Sequence, residues 1–343
     1  MGEVAVRALV TTALVAGLVG FGATSASARE QAPRDVCVMA DKRIGELSGL
    51  VADGDRWYAV NDGGTKSTVY VLTKECKVER VISGPTDPFD VEDLARGADG
   101  TFWLADTGDN DKKRETVALI ALTPDGKTKL HRLTYPDGAH DTEALLLDRA
   151  GTPYLITKNP FGRGDIYRPV AAITSPGPTA LEKVGSVQLT STDTKGGPVN
   201  PSIGSVVVTG AASNPGGTVV ALRTYTDAYL YAVPDGDLLA ALKTDPVRIP
   251  LPEEKQGEAI GLEPDGTLVS ASEGVGQPIR AVTGAAGRLA PPPKAEDESR
   301  SGGQAAAAKG ADGGGLDPLP AIGFTVIAIG GVLFFMHRRA SRR

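Results

Sequence analysis

The 343-residue chain is short of the residues that most often build a catalytic or metal centre: three histidines, two cysteines, two tryptophans, and aromatics at only 5 %. With no Cys-x-x-Cys pair and no Cys/His cluster, the composition argues against zinc and haem sites. A Gly-x-Ser-x-Gly elbow and a phosphate-cradling glycine loop leading into a helix are both missing, which argues against α/β-hydrolase and nucleotide-binding chemistry. Long apolar runs with a 3.6-residue period are absent too, and the one helix-like piece is Leu238-Leu239-Ala240-Ala241-Leu242; the pattern is that of an all-β chain. Positive charge is outnumbered, with 36 Lys and Arg against 42 Asp and Glu. The whole chain carries a formal −6, and setting aside four arginines in the C-terminal tail leaves about −10 for the part before it. Such a surface argues against nucleic acid and is compatible with cations.

The ends carry what the middle lacks. An apolar stretch from Ala8 to Gly22, with Arg7 before it and Ala26-Ser27-Ala28 after it, reads as a signal peptide over residues 1–28. Residues 319–336 are apolar or small throughout and run into His337-Arg338-Arg339-Ala340-Ser341-Arg342-Arg343. That length is just enough to cross a bilayer, and the basic tail of residues 337–343 then lies in the cytoplasm. A variant reading takes Leu319-Pro320-Ala321-Ile322-Gly323 as a wall-sorting motif with Ile322 in the place of its threonine. Residues 286–318, rich in Pro, Gly and Ala, read as a flexible stalk. The expected protein is therefore a single-pass plasma-membrane protein with an extracellular domain over residues 29–285. Its two cysteines, Cys37 and Cys76, are expected to pair in that oxidising compartment.

Within the domain one motif recurs: Glu46-Leu47-Ser48-Gly49-Leu50, Glu92-Asp93-Leu94-Ala95, Glu143-Ala144-Leu145-Leu146 and Glu258-Ala259-Ile260-Gly261. Each Glu precedes a second apolar run by eleven residues, with a Gly-containing turn between, and a fifth unit has Thr209 in the Glu position. Repeats of this kind, with four strand signals per unit, predict a β-propeller. The last unit supplies only three strands, and Val36-Cys37-Val38-Met39 can close the ring as its fourth. Five blades are the preferred count, and a sixth fits in the interval from Glu143 to Thr209. On this topology Cys37 and Cys76 fall on one side of neighbouring blades, at the seam.

In such a ring the Glu positions and the turns between second and third strands share one face. The expected ligand face therefore holds Asn61, Asp62, Asp106, Asp109, Asn110, Lys158, Asn159, Arg223 and Glu273. Glu46, Glu92, Glu143 and Glu258 would repel one another at the channel mouth unless a cation or bound donors offset their charge. Two readings stay open: hard carboxylate oxygens holding calcium, or each Glu capping backbone N–H groups of the next blade. Asp109-Asn110-Asp111 is a fragment of a calcium-loop pattern, and His140 with Asp141 is a candidate for acid–base catalysis.

The first three units, with Tyr58-Ala59-Val60-Asn61-Asp62, Ala105-Asp106-Thr107-Gly108-Asp109-Asn110 and Tyr135-Pro136-Asp137-Gly138-Ala139-His140-Asp141-Thr142-Glu143, resemble exported bacterial propellers of the phytase-like and SdiA-regulated kind. The resemblance implies six blades and a class that includes calcium-dependent phosphatases and lactonases, with Glu46, Glu92, Glu143 and Glu258 as the metal positions. Thr209 departs from that pattern, and no dense Lys/Arg set for inositol phosphates is present. The expected function is a membrane-anchored binding or scaffold module for a small ligand or extracellular protein, with a calcium-dependent phosphoester or lactone hydrolase as the alternative.

Overall fold

In the computed structural model, which describes residues 32–289, short strands dominate and helix is confined to single turns. The first full unit is β2 (Leu47–Asp53), β3 (Arg56–Asn61), β4 (Ser67–Leu72) and β5 (Val78–Gly84). The second is β6 (Val91–Arg96), β7 (Phe102–Asp106), β8 (Val117–Leu122) and β9 (Thr128–Thr134). A third comprises β10 (Thr142–Leu147), β11 (Pro153–Thr157), β12 (Arg163–Pro169) and β13 (Thr179–Gln188). The fourth is β14 (Val208–Ser213), β15 (Val219–Thr224), β16 (Asp227–Ala232) and β17 (Val247–Pro250). The last contributes β18 (Gly257–Leu262), β19 (Leu268–Ser272) and β20 (Pro278–Val282), and β1 (Arg34–Val38) pairs antiparallel with β20 to complete it. Outer strands β9 and β13 also touch in parallel through Thr179 and Ala180, which joins blades two and three into one eight-stranded sheet.

The first strands of the five units pack on one another in a closed cycle, β2 on β6, β6 on β10, β10 on β14, β14 on β18 and β18 back on β2. This is a β-propeller. The apolar core is divided accordingly into five wedges, one per blade interface; Val60, Ile82, Leu94 and Leu104, for example, fill the wedge between blades one and two. Both faces of an inner strand are covered, so β18 is buried along its whole length, whereas the outer β5 alternates towards solvent.

A ring of five inner strands is narrow, and that sets its side chains. A Cβ on Gly49 would stand 2.5 Å from the backbone nitrogen of Leu94, and one on Gly210 would stand 2.3 Å from the carbonyl of Glu258. Only small residues permit that approach. The interval from Glu143 to Thr209, where a sixth blade could have fitted, is taken up by β12, the ten-residue β13 and a loop carrying the one-turn helix α1 (Pro201–Gly204). Thr192 and Thr194 tie that loop to the buried Asp227 carboxylate. A second short helix, α2 (Leu238–Ala241), forms where the apolar run predicts it, capped by Asp237.

The cysteines pair. Cys37 in β1 is bonded to Cys76 in the β4–β5 turn, with Cα atoms 5.8 Å apart, which clamps blade five to blade one. After β20 the chain continues into a 3-10 turn, Ala286–Leu289, whose Leu289 packs on the wedge between blades four and five. No helix among the described residues is long and apolar enough to cross a membrane. The expected leader of residues 1–28, the remainder of the expected stalk, the expected span of residues 319–336 and the basic tail lie outside the described residues.

Candidate metal centre

All five inner strands carry a β-bulge near their start, and the bulged residues are Ser48, Glu92, Glu143, Thr209 and Glu258. The first blade therefore departs from the sequence alignment: Ser48, not Glu46, is the counterpart of the other glutamates. A recurring hydrogen bond says the same, because the backbone carbonyls of Glu46, Asp90, Asp141 and Gln256, each two residues before a bulge, all accept from a backbone N–H of the turn after the second strand. The cause is loop length. The β2–β3 hairpin turns in two residues, Gly54 and Asp55, while the other four blades use five. The eleven-residue spacing from Glu46 thus reaches a different rung of the sheet.

At two bulges a short hydroxyl takes the inter-blade role: Ser48 Oγ donates to the Glu92 carbonyl at 2.6 Å and Thr209 Oγ1 to the Gly257 carbonyl at 2.8 Å. Glu92 and Glu143 turn their carboxylates into the mouth instead. Together with Asp141 they form a triad whose carboxylate oxygens lie within 4.8 Å of one another. All three are at most 6 % exposed. Glu92 Oε1 and Glu143 Oε2 are buried without a hydrogen-bond partner. Asp141 Oδ1 accepts from the Asp109 N–H at 2.9 Å, and Glu143 Oε1 is paired with the Lys158 ammonium. Gly108 closes one side so tightly that a Cβ there would stand 2.1 Å from Glu92 Oε1.

Burial pushes the Glu92 carboxyl well above the usual range, with Glu143, Asp90 and Asp141 adding to it and Lys158 opposing. Glu143 is pushed up to about 8, chiefly by burial, against the pull of Lys158. Asp141 is raised by burial and held back by Lys158 and the Asp109 N–H. For Lys158 itself, burial disfavours the ammonium, yet the nearby carboxylates, Glu143 first and then Asp141 and Glu92, outweigh that and raise it well above its ordinary value. Across the mouth, Gln256 Nε2 donates to Glu258 Oε1 at 3.2 Å and to Glu273 Oε2 at 2.6 Å. Burial first, then Glu258, with Asp62 and Glu46 further off, push Glu273 up to about 12. Burial thus disfavours charge on Glu92, Asp141, Glu143 and Glu273, with the Lys158 ammonium set among them; a hard cation bound there would compete with protons for the same oxygens.

Other expected face residues have different partners. Arg223 is completely buried and donates to the carbonyls of Ala259, Ala271 and Thr224 and to Glu254, so it clamps blade four to blade five and does not reach the face. Asp109 accepts the N–H groups of Lys113 and Arg114 and shapes its own turn, which leaves Asn110 exposed at the apex and gives no calcium loop. Asp106 is buried against Arg114 and the Asp90 N–H, and Asn159 caps its own turn by accepting from Phe161. Asn61 Nδ2 donates to the Arg43 carbonyl, and Asp62 is buried at the end of β3. His140 and Asp141 do not form a dyad: His140 Nε2 lies 2.9 Å from Asp137 and 3.0 Å from the Tyr167 hydroxyl, while Asp141 faces the triad.

Sequence reasoning overlooked Asp93. It follows the Glu92 bulge at a position that is Gly49, Ala144, Gly210 and Ala259 in the other blades, and it is fully buried in the ring. One charge among four small residues was the available signal. Its carboxylate accepts from Leu94, Leu145 and Ala211, which belong to blades two, three and four.

No protein-family model matches the chain, and no curated protein does. Among solved structures it is similar to a virginiamycin B lyase from Staphylococcus aureus at 12 % identity, covering 73 % of this chain and 70 % of that one, with a TM-score of 0.37. A glutaminyl cyclase from Myxococcus xanthus is similar at 12 % identity over 74 % of this chain and 97 % of the other, with a TM-score of 0.40. A structural-genomics target provisionally described as a gluconolactonase is similar at 13 % identity over 71 % and 76 %, with a TM-score of 0.41. The propeller architecture itself is given by the closed ring of sheets.

Proposed function

We propose that this chain is an extracellular propeller whose channel mouth binds a hard divalent cation, calcium above all, and that the polar loops around it take a small ligand or a partner protein. The observation that carries the reading is the pair of buried oxygens without donors, Glu92 Oε1 and Glu143 Oε2, converging with Asp141 within 4.8 Å. Leaving such groups unsatisfied costs about 1–3 kcal/mol each, more when charged; coordination removes that cost. The donors are all oxygens, which suits calcium and not a soft metal. Glu92, Asp141 and Glu143 would hold the ion, with Glu258 and Glu273 facing them from blade five.

The test is a calorimetric titration of the full-length chain with calcium, magnesium and manganese, alongside Glu92→Gln and Glu143→Gln. Saturable binding that weakens at least about ten-fold in each variant is expected. Failure of every divalent ion to bind would end this reading. Export and anchoring through residues 1–28 and 319–336 are part of the same proposal. Protease digestion of intact cells, which should remove the propeller and spare the tail, tests them.

A second reading, a metal-dependent hydrolase of phosphoesters or lactones, is favoured by the Lys158 ammonium and the neutral Glu273 carboxyl at the same mouth, both able to donate to a substrate oxygen. A bound ion would polarise that oxygen and ease deprotonation of water. The resemblance to phytase-like propellers supports it. Calcium-dependent turnover of phosphoester or lactone panels, lost in Glu143→Gln, would establish it, and binding without turnover would leave the binding module.

A further inference from the structure

We propose that Lys158 is a built-in competitor for the cation centre, so that binding of a divalent ion displaces its ammonium from Glu143; the proposal rests on the cation-site reading above and adds its regulation. Lys158 follows β11 directly, and its backbone N–H donates to the Asp141 carbonyl at 2.9 Å. The residue is thereby pinned to the backbone of one carboxylate while its ammonium pairs with a second. In the other blades with this hydrogen bond the donors are Asp62, Gly108 and Glu273, none of them basic. The one lysine stands in the blade that also carries Asp141 and Glu143.

The two oxygens of Glu143 differ in their partners. Oε1 is held by Lys158 and Oε2 has no partner. An ion bound by the same carboxylate would lie within a few ångströms of the ammonium in a site shielded from water, where like charges repel strongly. The lysine has somewhere to go. Its side chain is 14 % exposed, against 2 % for Glu143, and its nitrogen already lies 5.6 Å from the centroid of the Tyr225 ring, whose face attracts a cation. A flexible four-carbon stem permits the swing. The ammonium thus satisfies the carboxylate when metal is scarce and raises the concentration at which metal takes over.

Two measurements on the full-length chain decide it. Calorimetric titration with calcium should show Lys158→Gln binding at least about ten-fold tighter than the parent, because a competing charge has been removed from the site. Parent binding with unchanged or weaker binding in the variant overturns the competition and leaves the cation site standing. No binding to either protein overturns both. The second measurement needs no variant: acylation of the parent by a water-soluble succinimidyl ester, read at Lys158 by peptide mass spectrometry. Labelling of Lys158 should rise several-fold when calcium is added. Labelling that stays level or falls while calcium binds contradicts displacement, whether or not the variant folds.

Discussion

Asp93 places a carboxylate at the centre of the ring, where burial pushes it well above its ordinary range and the N–H groups of Leu145, Leu94 and Ala211 pull it back. Those donors come from three blades, so the side chain links strands that share no ladder. Asp93→Ala leaves three buried donors without acceptors, and a loss of about 3 kcal/mol or more is expected in urea unfolding. An unchanged midpoint would show that the ring holds without this link. Glu143 makes a pH prediction. Its native carboxyl is pushed up to about 8, whereas an unfolded chain keeps it at about 4.3. Between those values the native state binds more protons, so metal-free stability is full below the unfolded value and is lost as pH rises through about 8. The melting temperature in chelator should therefore fall from pH 5 to pH 9 more steeply in the parent than in Glu143→Gln, and calcium should flatten the parent curve. Equal slopes in chelator would count against this assignment.

At the scale of elements, the bulge decides which side chain enters the mouth. Because it inserts one residue against the partner strand, the bulged side chain is turned away from the pleat alternation, and in three blades that side chain is a glutamate. The β7–β8 turn then supplies the wall. A Cβ on Gly108 would meet Glu92 Oε1 at 2.1 Å and Asp90 Oδ2 at 2.4 Å. Both are ends of flexible side chains, so Gly108→Ala should fold and shift the ligand instead. Calcium affinity is expected to fall about ten-fold with little change in melting temperature; unaltered affinity would place the cation away from Glu92. Strand positions were legible because each rests on local alternation and turn residues: Val117–Leu122 and Pro278–Val282 coincide with their apolar runs. The rung at which blade one presents its acid was not legible, because it depends on a hairpin three residues shorter than the others.

For the whole molecule the weak point is the seam. Blade five is completed by β1, which is held by one ladder to β20 and by the bond from Cys37 to Cys76, 39 residues apart. At the same interface, Trp57 Nε1 donates to the buried Glu263 carboxylate at 2.7 Å, and Lys74, two residues from Cys76, pairs with it. Closing a loop of that length is worth about 2–4 kcal/mol. Cys37→Ser with Cys76→Ser should lose that much in denaturant unfolding. Hydrogen exchange should show β1 and β20 opening first while β6 to β12 stay protected. Uniform exchange across all blades would mean that the ring does not open at this seam.

The amino-acid sequence alone determined the periodicity, the all-β class, the closing strand and the pairing of two cysteines, since these follow from local pattern and from topology that pattern implies. Tertiary structure decided the rest. Arg223 reads as a face residue and is spent on carbonyls of the next blade; His140 and Asp141 are neighbours in sequence and serve different clusters; Asp93 reads as part of a strand and sits at the hub. In each case the deciding quantity is which neighbouring blade supplies the donor or acceptor. That depends on hairpin length and on the close approach of five inner strands, neither of which a single repeat reveals. The Glu-led motif therefore marks the mouth of the ring, and the packing of blades two and three selects Glu92, Asp141 and Glu143 as the residues that meet there.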